Sequence, residues 1–282
     1  MKQSSTHKKI QLRYQQFANQ VLETNKALAV NADGYAPQMG QPAERLAQQL
    51  YSETALIDIP EPAINASIGC GNPLAIANLQ AGEHVLDLGS GGGLDCFQAA
   101  KIVGAQGRVI GVDATPSMIT LANQNKAKMG VANVDFREGA IESLPVASNS
   151  IDLIISNCVI DISADKTAVF QEAFRVLKAG GRIAISDTVL MGDIPATLKA
   201  NIDQWAGAVI TPLISLAAYL QFMVDAGFSN IRVDSLTSYG LENFDALNET
   251  SQETLTQNYR WTPLPPNTGL YSALIWAEKP TD

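Results

Sequence analysis

Cysteine is scarce. Cys70, Cys96 and Cys158 are odd in number and too few for a disulfide framework in a chain of 282 residues. That scarcity predicts a reducing, cytoplasmic setting in which each thiol needs its own explanation. Basic residues are also short. Nineteen Lys and Arg face twenty-eight Asp and Glu, for a formal charge of -9 and an isoelectric point near 4.7, which repels a phosphate backbone and excludes nucleic acid as a partner. The first residues, MKQSSTHKKIQLRYQQF, carry charge with no apolar stretch behind them, so no secretory signal is expected. Residues 204–224 lack any charge, a length able to cross a bilayer if uniformly apolar. Pro212, Thr211, Ser215, Gln204 and Gln221 interrupt that run and no Lys/Arg cluster flanks it. It reads as a buried helical cap over a pocket, and no membrane partner is expected.

Apolar residues make up 46% of the chain, enough to bury a sizeable core as one elaborated domain or a domain with a cap. Up to about Asn31, Leu12, Tyr14, Phe17, Val21, Leu22 and Leu28 recur at helical spacing, which predicts one or two amphipathic helices. Gly34, Pro37, Gly40 and Pro42 mark a loop, and a shorter helix is expected over 43–51. This part reads as a lid or an oligomer contact. From Glu83 the pattern changes. Val85-Leu-Asp-Leu, Val109-Ile-Gly-Val, Val134-Asp-Phe, Ile151-Asp-Leu-Ile-Ile and Arg182-Ile-Ala-Ile-Ser read as strands, with helices over 96–103, 117–129 and 167–177. Strands alternating with helices predict a parallel sheet wound on both faces. Ala179-Gly-Gly reads as the left-handed cap of the last helix. Residues 230–236 and 270–279 add two strands to the same sheet. The expected division is a helical lid over 1–65 and an α/β domain over 66–282, with 192–228 inserted as the cap. There is no internal repeat or low-complexity tract, and no pattern fixes the oligomeric state.

Asp87-Leu-Gly-Ser-Gly-Gly-Gly follows the first strand and opens a helix, the position at which open α/β sheets bind nucleotides. Counting G-x-G-x-x-G from Gly89 puts Leu94 in the last glycine position, so helix and strand are not set for a pyrophosphate. Asp87 at the strand tip opposes phosphate and suits a cation. S-adenosylmethionine carries an ammonium and a sulfonium and no phosphate, and Gly89, Ser90 and Gly91 are its expected cradle. Asp113, twenty residues after Gly93, ends the second strand where an acid accepts hydrogen bonds from both ribose hydroxyls. Met118 is placed on the adenine face or simply in the core. Ala140, Ile141 and Glu142 follow the third strand, at the adenine edge. Taken singly, Glu142 is a solvated loop acid and Asp113 a turn residue; their joint spacing favours the cofactor.

These residues resemble the class I S-adenosylmethionine-dependent methyltransferases from about Ala66 onward, and within that class the bacterial arsenite methyltransferases. Ser67-Ile-Gly-Cys-Gly-Asn-Pro and Ser156-Asn-Cys-Val-Ile are similar to motifs of that family, as are Tyr51-Ser-Glu and Trp205-Ala-Gly. The resemblance implies a Rossmann-like, doubly wound seven-stranded sheet and further cofactor contacts from Ala114 and Asn157. It also implies that thiolates of Cys70 and Cys158 bind trivalent arsenic and act in catalysis. Two family thiols are absent: one position is Ala208, and the N-terminal one falls at Lys26-Ala-Leu-Ala or the loop after it. Asp161 stands where the family usually has Asn and is read as catalytic beside the pocket. Cys96 is assigned to core packing.

Methyl transfer from a sulfonium is an in-line displacement that needs alignment and a dry site more than acid or base. Soft thiolates suit arsenic, and two protein sulfurs plus glutathione or another small thiol complete three-fold coordination. With Ala208 in place of cysteine, organic trivalent arsenicals, or arsenite with added thiol, are the expected substrates. One competing reading is a C-, O- or N-methyltransferase of an apolar, quinone-like molecule with Asp161 as base. Another is a non-catalytic sensor of S-adenosylmethionine or a metalloid. Taken singly, each cysteine is a small buried hydrophobe, the usual state of a free thiol.

Overall fold

The computed structural model describes residues 5–25, 43–194, 213–238 and 268–281. Seven strands form one sheet in the order β3-β2-β1-β4-β5-β7-β6: β1 His84–Leu88, β2 Arg108–Asp113, β3 Val134–Glu138, β4 Ile151–Asn157, β5 Leu177–Met191, β6 Ser229–Ser238 and β7 Gly269–Glu278. The first five pair in parallel, whereas β7 runs antiparallel between β5 and β6. The chain builds outward from β1 to β3 and then crosses back to β4 on the other side of β1. That reversal leaves a crevice beyond the carboxyl ends of β1 and β4, where open α/β sheets place their ligands.

The near-continuous apolar runs of the parallel strands follow from burial on both faces. Leu86 and Leu88 pack with Val169 and Phe170 of α7 (Lys166–Val176) and with Tyr219 and Met223 of α8 (Leu216–Asp225). Val85, Leu153 and Ile155 pack the other way, against Phe97, Ala99 and Val103 of α5 (Leu94–Val103). Each such Leu, Ile or Phe stabilises the fold by about 1.5 to 3 kcal/mol through removal from water. α6 (Pro116–Met129) begins at a proline suited to a first helical turn and ends at Gly130, whose φ of 67° supplies the left-handed cap. α1 (Ser5–Thr24) lays Phe17, Ala18 and Val21 on Met118 and Leu121 of α6. α2 (Ala43–Leu50), α3 (Glu53–Leu56) and α4 (Glu61–Asn65) lead from the N-terminal part into the sheet.

Two expectations need correction. Ala179-Gly-Gly does not cap a helix: α7 stops at Val176 and the glycines lie inside β5. The left-handed φ of 74° at Gly180 serves the strand instead, where the Gly180 N–H donates to the Lys279 carbonyl beside the register shift between β4 and β5. Residues 195–212 of the expected cap lie outside the described residues. The part that is described, α8, is N-capped by Ser215 and packs against α7 and β5 on a sheet face, not over a pocket. The loop at Gly34 to Pro42, Leu28, Lys26-Ala-Leu-Ala, Trp205 and Ala208 also lie outside the described residues. No described helix is long and apolar enough to cross a membrane.

Candidate active site

Beyond β1 the chain reverses through Gly89, Gly91 and Gly93, with φ of 70°, 50° and 95°. Side chains at the first and last would meet Val159 and Phe136 at 2.6 and 2.7 Å. At Gly91 the nearest obstruction is a carbonyl 3.9 Å away, so this part of the loop lies open. The Asp113 carboxylate holds the loop in place: its Oδ2 accepts from the Gly91 N–H at 3.0 Å and its Oδ1 from the Thr115 N–H at 2.8 Å. The Thr115 side chain donates to the same carboxylate. Asn125 of α6 donates to the Gly92 carbonyl from below, at 2.9 Å.

A cavity of about 580 Å³ opens over this loop. Five of its lining residues are acids, Asp87, Asp95, Asp113, Glu142 and Asp165, and none is Lys, Arg or His. Burial lifts Asp87 well above the usual carboxylate range, aided by the charge of Asp95. Asp95 is pushed up to about 6, again chiefly by burial, although hydrogen bonds from Tyr51 and Asn157 work against the shift. Burial also raises Asp113, opposed by the two backbone N–H groups it accepts. Buried carboxylates without basic partners in the cavity favour a cationic ligand, which would restore their charged forms. Gly89, Ser90, Ala114, Met118, Ala140 and Ile141 line the same space. Met118 is at once part of the α1–α6 contact and of the wall. Glu142 accepts a hydrogen bond from Ser163, tying the loop after β3 to the loop after β4. From the N-terminal side, Ile10, Gln11 and Tyr14 of α1 close over the cavity, and the Gln11 amide donates to the Ala114 carbonyl at 2.8 Å.

Cys158 is part of the cavity wall, and Cys70, outside the lining, is its neighbour. Cys158 follows β4 directly, with a left-handed φ of 53° that turns the chain so that Val159 and Ile162 face the cavity. Cys70 sits above it, and the two are joined as a disulfide with their Cα atoms 5.8 Å apart. The expected free thiols are therefore paired in this structure. The crossover between β1 and β4 brings the two together across 88 residues, as a shared ligand role implies, but as a bonded pair. Asn157 fixes the upper partner: its Oδ1 accepts from the Cys70 N–H at 3.0 Å and its Nδ2 donates to the Gly71 carbonyl at 2.8 Å. The same Nδ2 donates to the Tyr51 hydroxyl at 2.9 Å, and Tyr51 donates to Asp95 at 2.7 Å. The Asn157 amide is thus spent on protein partners, although the residue lines the cavity as expected. Cys96 is free and buried on α5, where it donates to Asp87 at 3.2 Å.

Asp161 requires correction as a group beside the cavity. It is absent from the lining; its carboxylate turns toward Asp187 and Thr188 of β5, and burial raises its pKa. Asp95 and Asp187 were not singled out by sequence reasoning. An acid in the first turn of a helix reads as an ordinary partner of the helix dipole. Asp187 directly follows Arg182-Ile-Ala-Ile-Ser, where the sequence suggests a strand end, although β5 continues past it to Met191.

The raised pKa of Asp95 has a consequence for stability. A buried carboxylate that binds its proton more tightly when folded destabilises the native state as pH rises from the unfolded value, about 3.9, through its folded value. The ligand-free Asp95→Asn variant should therefore gain melting temperature relative to the wild type as pH rises from about 5 to about 7. Thermal unfolding across that range checks this; a constant difference would mean that Asp95 is already ionised at the lower pH.

Residues 79–250 match the family described as Methyltransferase domain. Over 167 residues the chain is 47% identical to an arsenite methyltransferase of Halobacterium salinarum, covering 59% of this chain and 42% of that one. Over 140 residues it is 46% identical to one from Aquipseudomonas alcaligenes, covering 47% and 40%. It therefore spans about two fifths of the length of these curated relatives. An arsenic(III) S-adenosylmethionine methyltransferase from Chlamydomonas reinhardtii superposes with a TM-score of 0.62 at 29% identity, over 85% of this chain and 73% of that one.

Proposed function

Because this chain belongs to the methyltransferase domain family, we propose that it transfers a methyl group from S-adenosylmethionine to trivalent arsenic held by the reduced thiols of Cys70 and Cys158. The observation that carries this reading is a cavity lined by five acids and no base, with Cys158 in its wall. The acid set, the open backbone at Gly91 and the strand-end carboxylate of Asp113 in the cavity wall all fit a cationic, ribose-bearing cofactor. Asp113 would hold the ribose hydroxyls, Asp87 and Asp95 would face the cationic end, and Ala140, Ile141 and Glu142 would border the adenine. S-adenosylmethionine, when bound, supplies a methyl group on a positively charged sulfur.

The chain's own part is to hold the acceptor and keep water out. Reduction by a small thiol such as glutathione adds two electrons and two protons to the Cys70–Cys158 disulfide, and two thiol molecules leave as their own disulfide. Each cysteine then displaces one hydroxide of arsenite: a sulfur–arsenic bond forms, an arsenic–oxygen bond breaks, and the thiol proton leaves with the hydroxide as water. The third arsenic position is left for a small thiol or for an organic group already present. Asn157 holds the Cys70 backbone over Cys158, so that once reduced both sulfurs would reach one atom beside the wall that Cys158 forms. α1 acts as the lid, through Ile10, Gln11 and Tyr14.

Release of S-adenosylhomocysteine should be measured with arsenite, a monoaryl trivalent arsenical and a quinone-like ring, each with and without glutathione. Turnover of both arsenicals with thiol present, and of the aryl compound faster than arsenite, is expected. Turnover of the ring alone would replace arsenic with an organic acceptor. Binding without turnover of any of them would indicate a sensor.

A further inference from the structure

One buried acid beside the cysteines has no part in the reaction just described. A carboxylate oxygen of Asp187 and the sulfurs of Cys70 and Cys158 all lie within 4.8 Å of one another. Asp187 is fully buried on β5. Its Oδ2 accepts from the Tyr219 hydroxyl at 2.7 Å and the Asp161 N–H at 2.9 Å, which fixes the carboxylate, while Oδ1 is buried without a hydrogen-bond partner among the described residues. Flanking hydroxyls attend the sulfurs: Ser186 Oγ lies 3.4 Å from Cys70 Sγ, and Thr188 Oγ1 lies 3.6 Å from Cys158 Sγ. A hydroxyl that donates to sulfur favours the thiolate.

We propose that, after reduction of the disulfide, Cys70, Cys158 and Asp187 form a three-donor site for a thiophilic divalent cation of the zinc and cadmium class. This rests on the proposed arsenic reading only in that the cation would compete for the same two sulfurs. A dithiol reductant gives two electrons to the sulfur–sulfur bond and two protons to the sulfurs, becoming a cyclic disulfide itself. Cation binding then releases the two thiol protons to solvent. Zinc bonds of about 2.3 Å to sulfur and about 2.0 to 2.2 Å to oxygen, set tetrahedrally, span donor separations of roughly 3.3 to 3.8 Å. In the oxidised structure the two sulfurs are bonded to each other and closer than this, so the ion enters only when reduction lets them part; the Asp187 oxygen then lies near enough to complete the triangle, with a fourth position left for a small ligand. Two thiolates and a carboxylate exceed the cation by one negative charge; the Asp161 carboxyl group adjoins Asp187, and the Lys166 ammonium acts on both acids. Trivalent arsenic is softer and is satisfied by the sulfurs, whereas a borderline divalent ion gains from a carboxylate oxygen. Asp187 therefore separates the two ligands.

The test is an anaerobic cadmium titration of the fully reduced full-length chain, followed by thiolate-to-cadmium ultraviolet absorbance, beside a titration with a phenyl trivalent arsenical. The wild type should bind one cadmium per chain. Asp187→Asn should bind cadmium about tenfold or more weakly with arsenical affinity unchanged, and the variant with both Cys70→Ser and Cys158→Ser should bind neither. Equal cadmium affinity in wild type and Asp187→Asn would overturn the assignment of Asp187, and no cadmium binding by the reduced wild type would overturn the site. Zinc-edge X-ray absorption of the zinc-loaded wild type needs no variant. Two sulfur neighbours with oxygen completing the shell are expected, and a shell without sulfur overturns the proposal. Arsenical binding by the wild type reads the proposed function separately, so failure of one leaves the other standing.

Discussion

Replacing either Cys70 or Cys158 by serine should lower arsenical methylation by about a hundredfold or more under reducing conditions. A single sulfur leaves the arsenic free to rotate away from the methyl group, and misplacement by about 1 Å already costs about that much. The assay belongs under reducing conditions because the disulfide has a separate effect on stability. It closes a loop between residues 88 apart, a constraint on the unfolded chain that stabilises the oxidised protein by about 4 to 5 kcal/mol in the chain-entropy picture. In the reduced state wild type and variants should melt together, so that a loss of turnover reports on the sulfur and not on folding. Product formed from a monoaryl trivalent arsenical is the quantity to compare. Undiminished turnover in both single variants would remove the sulfurs from the chemistry.

Asp113→Ala should weaken S-adenosylmethionine binding by about 2 to 4 kcal/mol, roughly thirtyfold to a thousandfold. Charge-assisted hydrogen bonds to the ribose are lost. The Gly91 and Thr115 N–H groups also lose the carboxylate that holds the glycine loop in its left-handed path. Asp113→Asn keeps one oxygen acceptor and should fall between the two. Because burial already raises the pKa of Asp113, removing its charge should cost little in melting temperature. Calorimetric titration checks the affinity; an unchanged dissociation constant for Asp113→Ala would move the ribose elsewhere.

Local pattern explains why much of the sheet was readable. Val85, Leu86 and Leu88 form a run too continuous for a strand wetted on one side, and the glycine loop follows it in sequence, so the crevice could be located from adjacent residues. Gly180 shows where that reasoning fails. A glycine after a helical run reads as a cap, but pairing with the distant Lys279 drew the segment into β5. The end of the 204–224 run was read as a pocket cap because its length without charge carried no information about which surface it would meet. Tyr219 and Met223 placed α8 on a sheet face. In the site, Asp87 and Asp113 were legible because each ends a strand. The Tyr51–Asp95–Asn157 chain of hydrogen bonds was not, since it joins three segments through contacts with no local periodicity. That Cys70 and Cys158 meet follows from their places near strand ends; that they are bonded to each other was not legible, because three cysteines argue by composition for free thiols.

Transfer of an isotopically labelled methyl group from S-adenosylmethionine to a monomethyl trivalent arsenical, catalysed by the reduced chain, tests the central claim most directly. Labelled dimethylated arsenic should form in step with S-adenosylhomocysteine, and neither should form with the double variant Cys70→Ser, Cys158→Ser. Tight cofactor binding with no labelled arsenic product, or equal product from the double variant, would contradict arsenic methylation at these two sulfurs.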